Sequence, residues 1–191
     1  MSTVGVVGGG PAGLSAALFT QKNGLNTVVF DTDKTWMHQA HLLNYPGIGS
    51  MDGSAYMDSL RSQVKLFGVD LNEESKITEI QPNEETYTLS SEDEQVDVDY
   101  VVLATGSDRG LAESLGCEFN GDLVDVTLSM ETSLDGVYAT GAMVRDQEWQ
   151  AIISAGDGAA AALDILSREK GEDFHDFDTP EQVALQFGEG Y

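Results

Sequence analysis

Val4-Gly5-Val6-Val7-Gly8-Gly9-Gly10-Pro11-Ala12-Gly13 is the stretch on which the fold turns. An apolar run of strand character ends in three glycines and opens on a helix-forming segment, Leu14 to Gln21. Gly8, Gly10 and Gly13 have the G-x-G-x-x-G spacing in its strand, turn and helix setting. Each glycine has a physical task. Gly8 lets the chain turn sharply, Gly10 lets a pyrophosphate approach the backbone, and Gly13 lets the helix pack close to the sheet. With Pro11 and Ala12 in its first turn, the helix would offer free N–H groups and the positive end of its dipole to that anion. The implied ligand is a dinucleotide. A Rossmann-like turn that has lost its ligand is the alternative.

A Rossmann unit also carries an acid roughly 20 residues past the glycines, at the end of the second strand, to hold ribose hydroxyls. Asn26-Thr27-Val28-Val29-Phe30 reads as that strand and Asp31 ends it. Gly24 reads as the C-cap of the intervening helix. Glycines, helix, strand and acid therefore arrive in order.

The 191 residues fit one domain with room for a substantial core. The predicted fold class is α/β: a Rossmann-like, dinucleotide-binding domain over 1–170 with a parallel central sheet and a small antiparallel meander at about 76–98. An acidic tail over 171–191 contains Phe174, Phe177, Phe187 and Tyr191. Thirty-three Asp and Glu face nine Lys and Arg, a net charge of -24. Self-repulsion of that size destabilises a compact state at low ionic strength. At about 1 M salt the Debye length is roughly 3 Å and the penalty fades, so a salt-rich cytoplasm is the expected setting. A basic partner is the alternative. The charge argues against nucleic acid and anionic membranes as partners. The N-terminus has no basic, apolar signal region, and a cytoplasmic protein is expected. A single cysteine, Cys117, excludes an intrachain disulfide, a C-x-x-C pair and a cysteine zinc cluster.

Further along, Thr32 to Ser50 reads as irregular, with a Pro46-Gly47 turn, and Ser54 to Phe67 as an amphipathic helix. Lys76–Ile80, Thr86–Ser90 and Gln95–Val98 read as the meander. Tyr100 to Ala104 is a continuous apolar run suited to a buried parallel strand. A further strand spans Gly136 to Thr140, and a long helix runs from about Gln150 to Lys170. Gly156-Asp157-Gly158-Ala159-Ala160-Ala161 fits a G-x-G-x-x-A spacing but lies inside that helix, so it is rejected as a second nucleotide turn.

Five blocks match a known family in order. They are the Gly8–Gly13 turn, Asn44-Tyr45-Pro46-Gly47, Ala104-Thr105-Gly106, Thr132 to Gly141, and Gln150-Ala151 ahead of Ala155-Gly156-Asp157-Gly158. Together they resemble the FAD-binding half of the thioredoxin-reductase type of pyridine nucleotide-disulfide oxidoreductases, over most of residues 3–168. The resemblance implies FAD as cofactor. It implies cofactor contacts from Gly8, Gly10, Pro11, Ala12, Gly13, Asp31, Asn44, Ala104, Thr105, Gly106, Gly141, Ala142, Gln150 and Ala151. It also implies that the helix near Gln150 aims at the flavin pyrimidine edge, where reduced flavin is anionic and a helix N-terminus is stabilising.

Three features depart from the family pattern. The family inserts an NAD(P)H domain, with its C-x-x-C, after the Ala-Thr-Gly block, and only Ser107 to about Asp122 fills that gap here. The family's ribityl-holding Gly-Asp is Gly141-Ala142, and the usual Gly-Gly-Gln before Asn44 is missing. The expected activity is electron exchange with a separate donor or acceptor protein by an FAD-dependent oxidoreductase, in a homodimer. A non-catalytic FAD- or ADP-binding sensor or scaffold, or one subunit of a split reductase, stays open beside it. No side chain stands out as an acid, base or nucleophile. Asn44 and Tyr45 either border the flavin or belong to a turn. Trp149 either stacks on the flavin or fills space in the core, with core packing the expectation. His38 and His41 are expected as solvent-facing or capping groups rather than metal ligands, and Cys117 as a small buried hydrophobe, a redox role near the flavin being the alternative.

Overall fold

Val4 and Val6, both fully buried, place β1 (Thr3–Val7) in the middle of the sheet. The structure, a computed structural model, describes residues 1–187, with side chains to residue 184. The Phe187 ring and Tyr191 lie outside what is described. From β1 the chain turns through the glycines into α1 (Pro11–Lys22) and returns as β2 (Asn26–Asp31). A 3-10 turn (Trp36–Gln39) and a hairpin of β3 (His41–Leu42) and β4 (Met51–Asp52) precede α2 (Gly53–Leu66) and β5 (Asp70–Glu73). β6 (Glu79–Pro82), β7 (Tyr87–Ser90) and β8 (Gln95–Val98) form the meander, and β9 (Tyr100–Leu103) rejoins the main sheet. Then come α3 (Gly110–Leu115), a hairpin of β10 (Phe119–Asn120) and β11 (Leu123–Val124), β12 (Val137–Ala139), α4 (Ala151–Lys170) and α5 (Pro180–Phe187).

The central sheet has the order β12-β9-β1-β2-β5 and is parallel throughout, with Val4 opposite Thr27 on one side and Tyr100 on the other. A parallel sheet needs cover on both faces, and alternation along the strands supplies two cores. Val4, Val6, Val29, Val102 and Tyr138 pack with α1, α2 and α4. Val7, Phe30, Val101, Leu103 and Val137 pack with the meander, α3 and the β10–β11 hairpin. α1 and α4 approach closely because of small residues. A Cβ on Gly158 would lie 2.0 Å from the Ala12 carbonyl oxygen. The Gly156-Asp157-Gly158 stretch is thus a helix contact, as its rejection as a nucleotide turn requires.

Several local readings shift. The cap of α1 is Asn23, and Gly24 follows it in left-handed backbone at φ +94°. Ser107 to Asp122, the short stretch that fills the place of the family's inserted domain, contains α3, whose Ala112 is fully buried. β5 was not anticipated: Asp70-Leu71-Asn72-Glu73 has no strand-like pattern, and it is ordered by backbone pairing with β2. In the tail, Phe174 packs on the helical core, Lys22 bonds Asp176 at 2.7 Å, and Phe177 stays exposed.

Candidate cofactor cleft

At the C-terminal ends of β1, β2 and β9 lies a cleft of about 770 Å³. Gly8, Gly9, Gly10, Pro11 and Ala12 form its floor. Gly8 has φ +111°, and a Cβ there would lie 2.2 Å from the Ala104 carbonyl oxygen. Gly13 is under the turn and outside the lining, and its Cβ would lie 1.9 Å from the Gly8 oxygen. Gly10 differs from both. A Cβ there would meet only Thr35 Oγ1, at 3.7 Å. The space above Gly10 is therefore open, and no side chain caps α1. Those are the conditions under which a pyrophosphate can settle on first-turn amides.

Asp31 lines one end of the cleft and is 4% exposed. It is already engaged by the protein. Oδ1 accepts from the Gly9 N–H at 3.1 Å and the Asp33 N–H at 3.0 Å, and Oδ2 accepts from Arg61 at 3.0 Å. Three accepted bonds leave a carboxylate with room for one more. Arg61 also reaches Asp33 and lies 3.8 Å from Glu73. Burial opposes its charge, and the Asp31 and Asp33 carboxylates more than reverse that, raising its pKa. The Asp33 carboxyl is held below the ordinary range by its hydrogen bond to His38, with Arg61 adding to the effect against desolvation. Sequence reasoning missed Arg61. The available signal was an arginine on the apolar stripe of α2, one turn from Met57 and three residues before Val64.

Ala104, Thr105 and Gly106 line the next wall, with Gly106 at φ +69°. Arg109 clasps this wall to the opposite turn, donating to the carbonyls of Ser107 at 3.2 Å, Met143 at 3.3 Å and Ala142 at 3.4 Å. Gly141 and Ala142 line that turn. The Gly141 N–H donates to Asp157 Oδ2 at 3.3 Å, and Arg145 pairs with the same carboxylate at 2.6 Å. Gln150 and Ala151 complete the far end, where α4 begins without a side-chain cap. Ordered charge favours an anion: Lys34 and Lys76 line the cleft and have no carboxylate partner among the described residues.

Asn44 stands beside the α4 end of the cleft. Asn44 is outside the cleft lining, and its Nδ2 donates to Gln150 Oε1 at 2.6 Å. Tyr45 packs on Tyr56 with ring centroids 5.8 Å apart, within the helical core. Pro46 and Gly47 make a turn, Gly47 at φ +86°. Trp149 is 45% exposed rather than buried, lines the cleft, and meets Trp36 at 5.1 Å. His38 bridges Asp33 and Ser54, and His41 bridges Asp52 and Ser50, each near the surface. No metal-binding cluster occurs among the described residues. Cys117 is 7% exposed, and burial pushes its thiol pKa up.

Fold and cleft together define an α/β protein of the Rossmann type. Residues 46–159, more than half of the chain, match the family described as pyridine nucleotide-disulphide oxidoreductase, and the chain belongs to that family. Residues 6–42 match the NAD(P)-binding Rossmann-like domain. The thioredoxin reductase of Listeria monocytogenes is 26% identical over 166 residues, which cover 85% of this chain and 49% of that protein. A 34.2 kDa protein in the rubredoxin operon of Clostridium pasteurianum is 27% identical over 105 residues, 53% of this chain and 34% of that one. The chain thus spans about half or less of the length of these curated relatives. A solved thioredoxin reductase from Gloeobacter violaceus superposes with a TM-score of 0.81 at 20% identity, over 93% of this chain and 99% of that one. At that identity the likeness is one of fold.

Proposed function

We propose that this chain binds FAD and passes electrons between the flavin and a separate protein partner. The observation that carries the reading is the open space over Gly10 at the uncapped start of α1, continuous with a cleft that ends at the uncapped start of α4. When bound, FAD supplies the reversible electron uptake. The chain's own residues bind and orient. The amides at Gly10 to Ala12 receive the pyrophosphate, helped by α1. Asp31 offers its remaining lone pair to the adenosine ribose. The first turn of α4, at Gln150 and Ala151, faces the flavin pyrimidine edge and favours negative charge there. Ala104 to Gly106 and Gly141-Ala142 wall the ribityl side.

What lies between β9 and β12 supports the reading of a separate partner. Residues 104–136 hold α3 and the β10–β11 hairpin, and β9 and β12 pair directly, Val101 opposite Val137. No second strand–glycine–helix unit stands there to hold NAD(P)H. Two copies of the chain form the working unit in this proposal, joined through an apolar face that high salt strengthens. The test is electron flow in the FAD-loaded chain. A chemical reductant should bleach the flavin and ferricyanide restore it, while NADPH with a disulfide acceptor gives negligible turnover. Robust NADPH-dependent disulfide reduction by this chain alone would refute the reading. A monomer mass by light scattering in about 2 M KCl would remove its dimeric part.

A further inference from the structure

The chain has two tryptophans, and both stand at the cleft with much of their surface in water: Trp36 is 52% exposed and Trp149 45%. They come from opposite sides. Trp36 sits on the 3-10 turn after β2, and Trp149 directly precedes α4. Their ring centroids are 5.1 Å apart and their planes are inclined at 44°, so the rings form a wedge rather than a closed stack. Trp149 is fixed by its indole N–H, which donates to the Arg145 carbonyl oxygen at 2.8 Å. That bond uses the polar edge of the ring and leaves its faces free. The Trp36 turn is tied to α2 through Met37 and His38, while the Trp36 ring itself is the more exposed of the two.

We propose that Trp36 and Trp149 are the jaws of an aromatic subsite that takes the flat isoalloxazine ring and shields it from solvent. This rests on the FAD reading above and adds the residues that hold the ring end. Sandwiching a planar ring takes two contacts of about 3.5 Å each, or roughly 7 Å between indole planes. The wedge reaches that spacing when the Trp36 ring swings outward by a few ångströms, and its 52% exposure leaves room for that rotation. Position supports the assignment. Trp149 directly precedes Gln150 and Ala151 at the start of α4, and all three line the cleft together with Trp36. An indole in contact with a flavin also quenches its fluorescence by light-driven electron transfer, which gives a direct readout.

The experiment uses the full chain in high salt, titrated separately with ADP and with FAD. The variants are Trp36→Phe/Trp149→Phe, which keeps flat rings that are poor electron donors, and Trp36→Ala/Trp149→Ala, which removes them. The proposal expects FAD bound to the unaltered chain to be nearly dark. The double Phe variant should regain emission about tenfold with FAD affinity little changed. The double Ala variant should lose at least about tenfold in FAD affinity, within the range of one stacked ring. ADP affinity should be unchanged in both, which also shows that the fold is intact. Bound FAD that is equally dark in the double Phe variant, or equally tight in the double Ala variant, overturns the aromatic subsite and leaves the FAD reading standing. An unaltered chain that binds ADP and no FAD overturns both.

Discussion

Gly10 and Gly13 stand three residues apart and answer to different constraints. A methyl on Gly13 would collide with the Gly8 carbonyl oxygen at 1.9 Å, and backbone cannot yield as a side chain can. Gly13→Ala should cost about 3 kcal/mol or more, the upper end for overpacking. In a chain of this size that lowers the melting temperature by about 6–12 °C. Gly10 has φ -79°, which alanine adopts freely, and its Cβ would project into open cleft. Gly10→Ala should therefore melt within about 2 °C of the unaltered protein and bind FAD at least about tenfold more weakly, because the methyl sits where the pyrophosphate must approach. Equal affinity in the two proteins would place the pyrophosphate elsewhere. Cys117 allows a second check at this scale. Burial raises its thiol pKa, so the thiolate that reacts is scarce at pH 8. A disulfide reagent should label native protein at least about a hundredfold more slowly than unfolded protein. Rapid labelling of the folded chain would show an accessible thiol. The glycines were legible in the sequence because each task is set by its neighbours in the chain. Trp149, Asn44 and Tyr45 were not, because their surroundings are built by residues far away in sequence: Trp36, Gln150 and Tyr56.

Between residues and molecule, the informative element is the turn after β12. The Gly141 N–H is held by Asp157 from α4, and Arg109 holds the carbonyls of Ala142 and Met143. This turn is therefore fixed without a carboxylate at position 142. Restoring one adds an acceptor to an existing frame. Ala142→Asp should tighten FAD binding about three- to tenfold, the yield of one hydrogen bond worth roughly 0.5–1.5 kcal/mol. Unchanged affinity would mean that the ribityl chain does not pass this turn. Legibility at this scale followed the hydrophobic pattern. Strands β1, β2, β9 and β12 and helices α1, α2 and α4 announce themselves through apolar runs, periodicity and end signals. β5 does not. Its Asp70-Leu71-Asn72-Glu73 becomes a strand because β2 presents free backbone groups to it, and a partner contributed by another segment leaves no mark on the local sequence. α3 is similar: six residues with one fully buried side chain give too little periodicity to read.

Over the whole molecule, a net charge of -24 sets the conditions in which the fold can persist. Lys22, Arg61, Lys65, Arg145 and Arg168 are already engaged with carboxylates. Among the described residues most acids have no cationic partner. Screening is what relieves that repulsion, since the Debye length falls from roughly 10 Å at about 0.1 M to below 3 Å at about 2 M. The melting temperature should rise by several degrees or more across that range of KCl, and an unchanged value would show that the surface charges are too far apart to matter. The charge and the absence of the C-x-x-C pair were plain in the sequence. The cleft was legible as a set of blocks, and its shape was not. The aromatic wedge, the Arg109 clasp and the Arg61 anchor under Asp31 all arise from juxtapositions that the parallel sheet creates. Cofactor identity is where residue, element and molecule meet, and the visible absorption spectrum of the full chain, purified in about 2 M KCl and incubated with FAD, reads it most directly. The predicted result is a yellow protein with flavin bands that survive desalting into the same salt, releasing one FAD per chain on denaturation. A colourless protein that takes up no FAD, or one that carries only FMN, would contradict it.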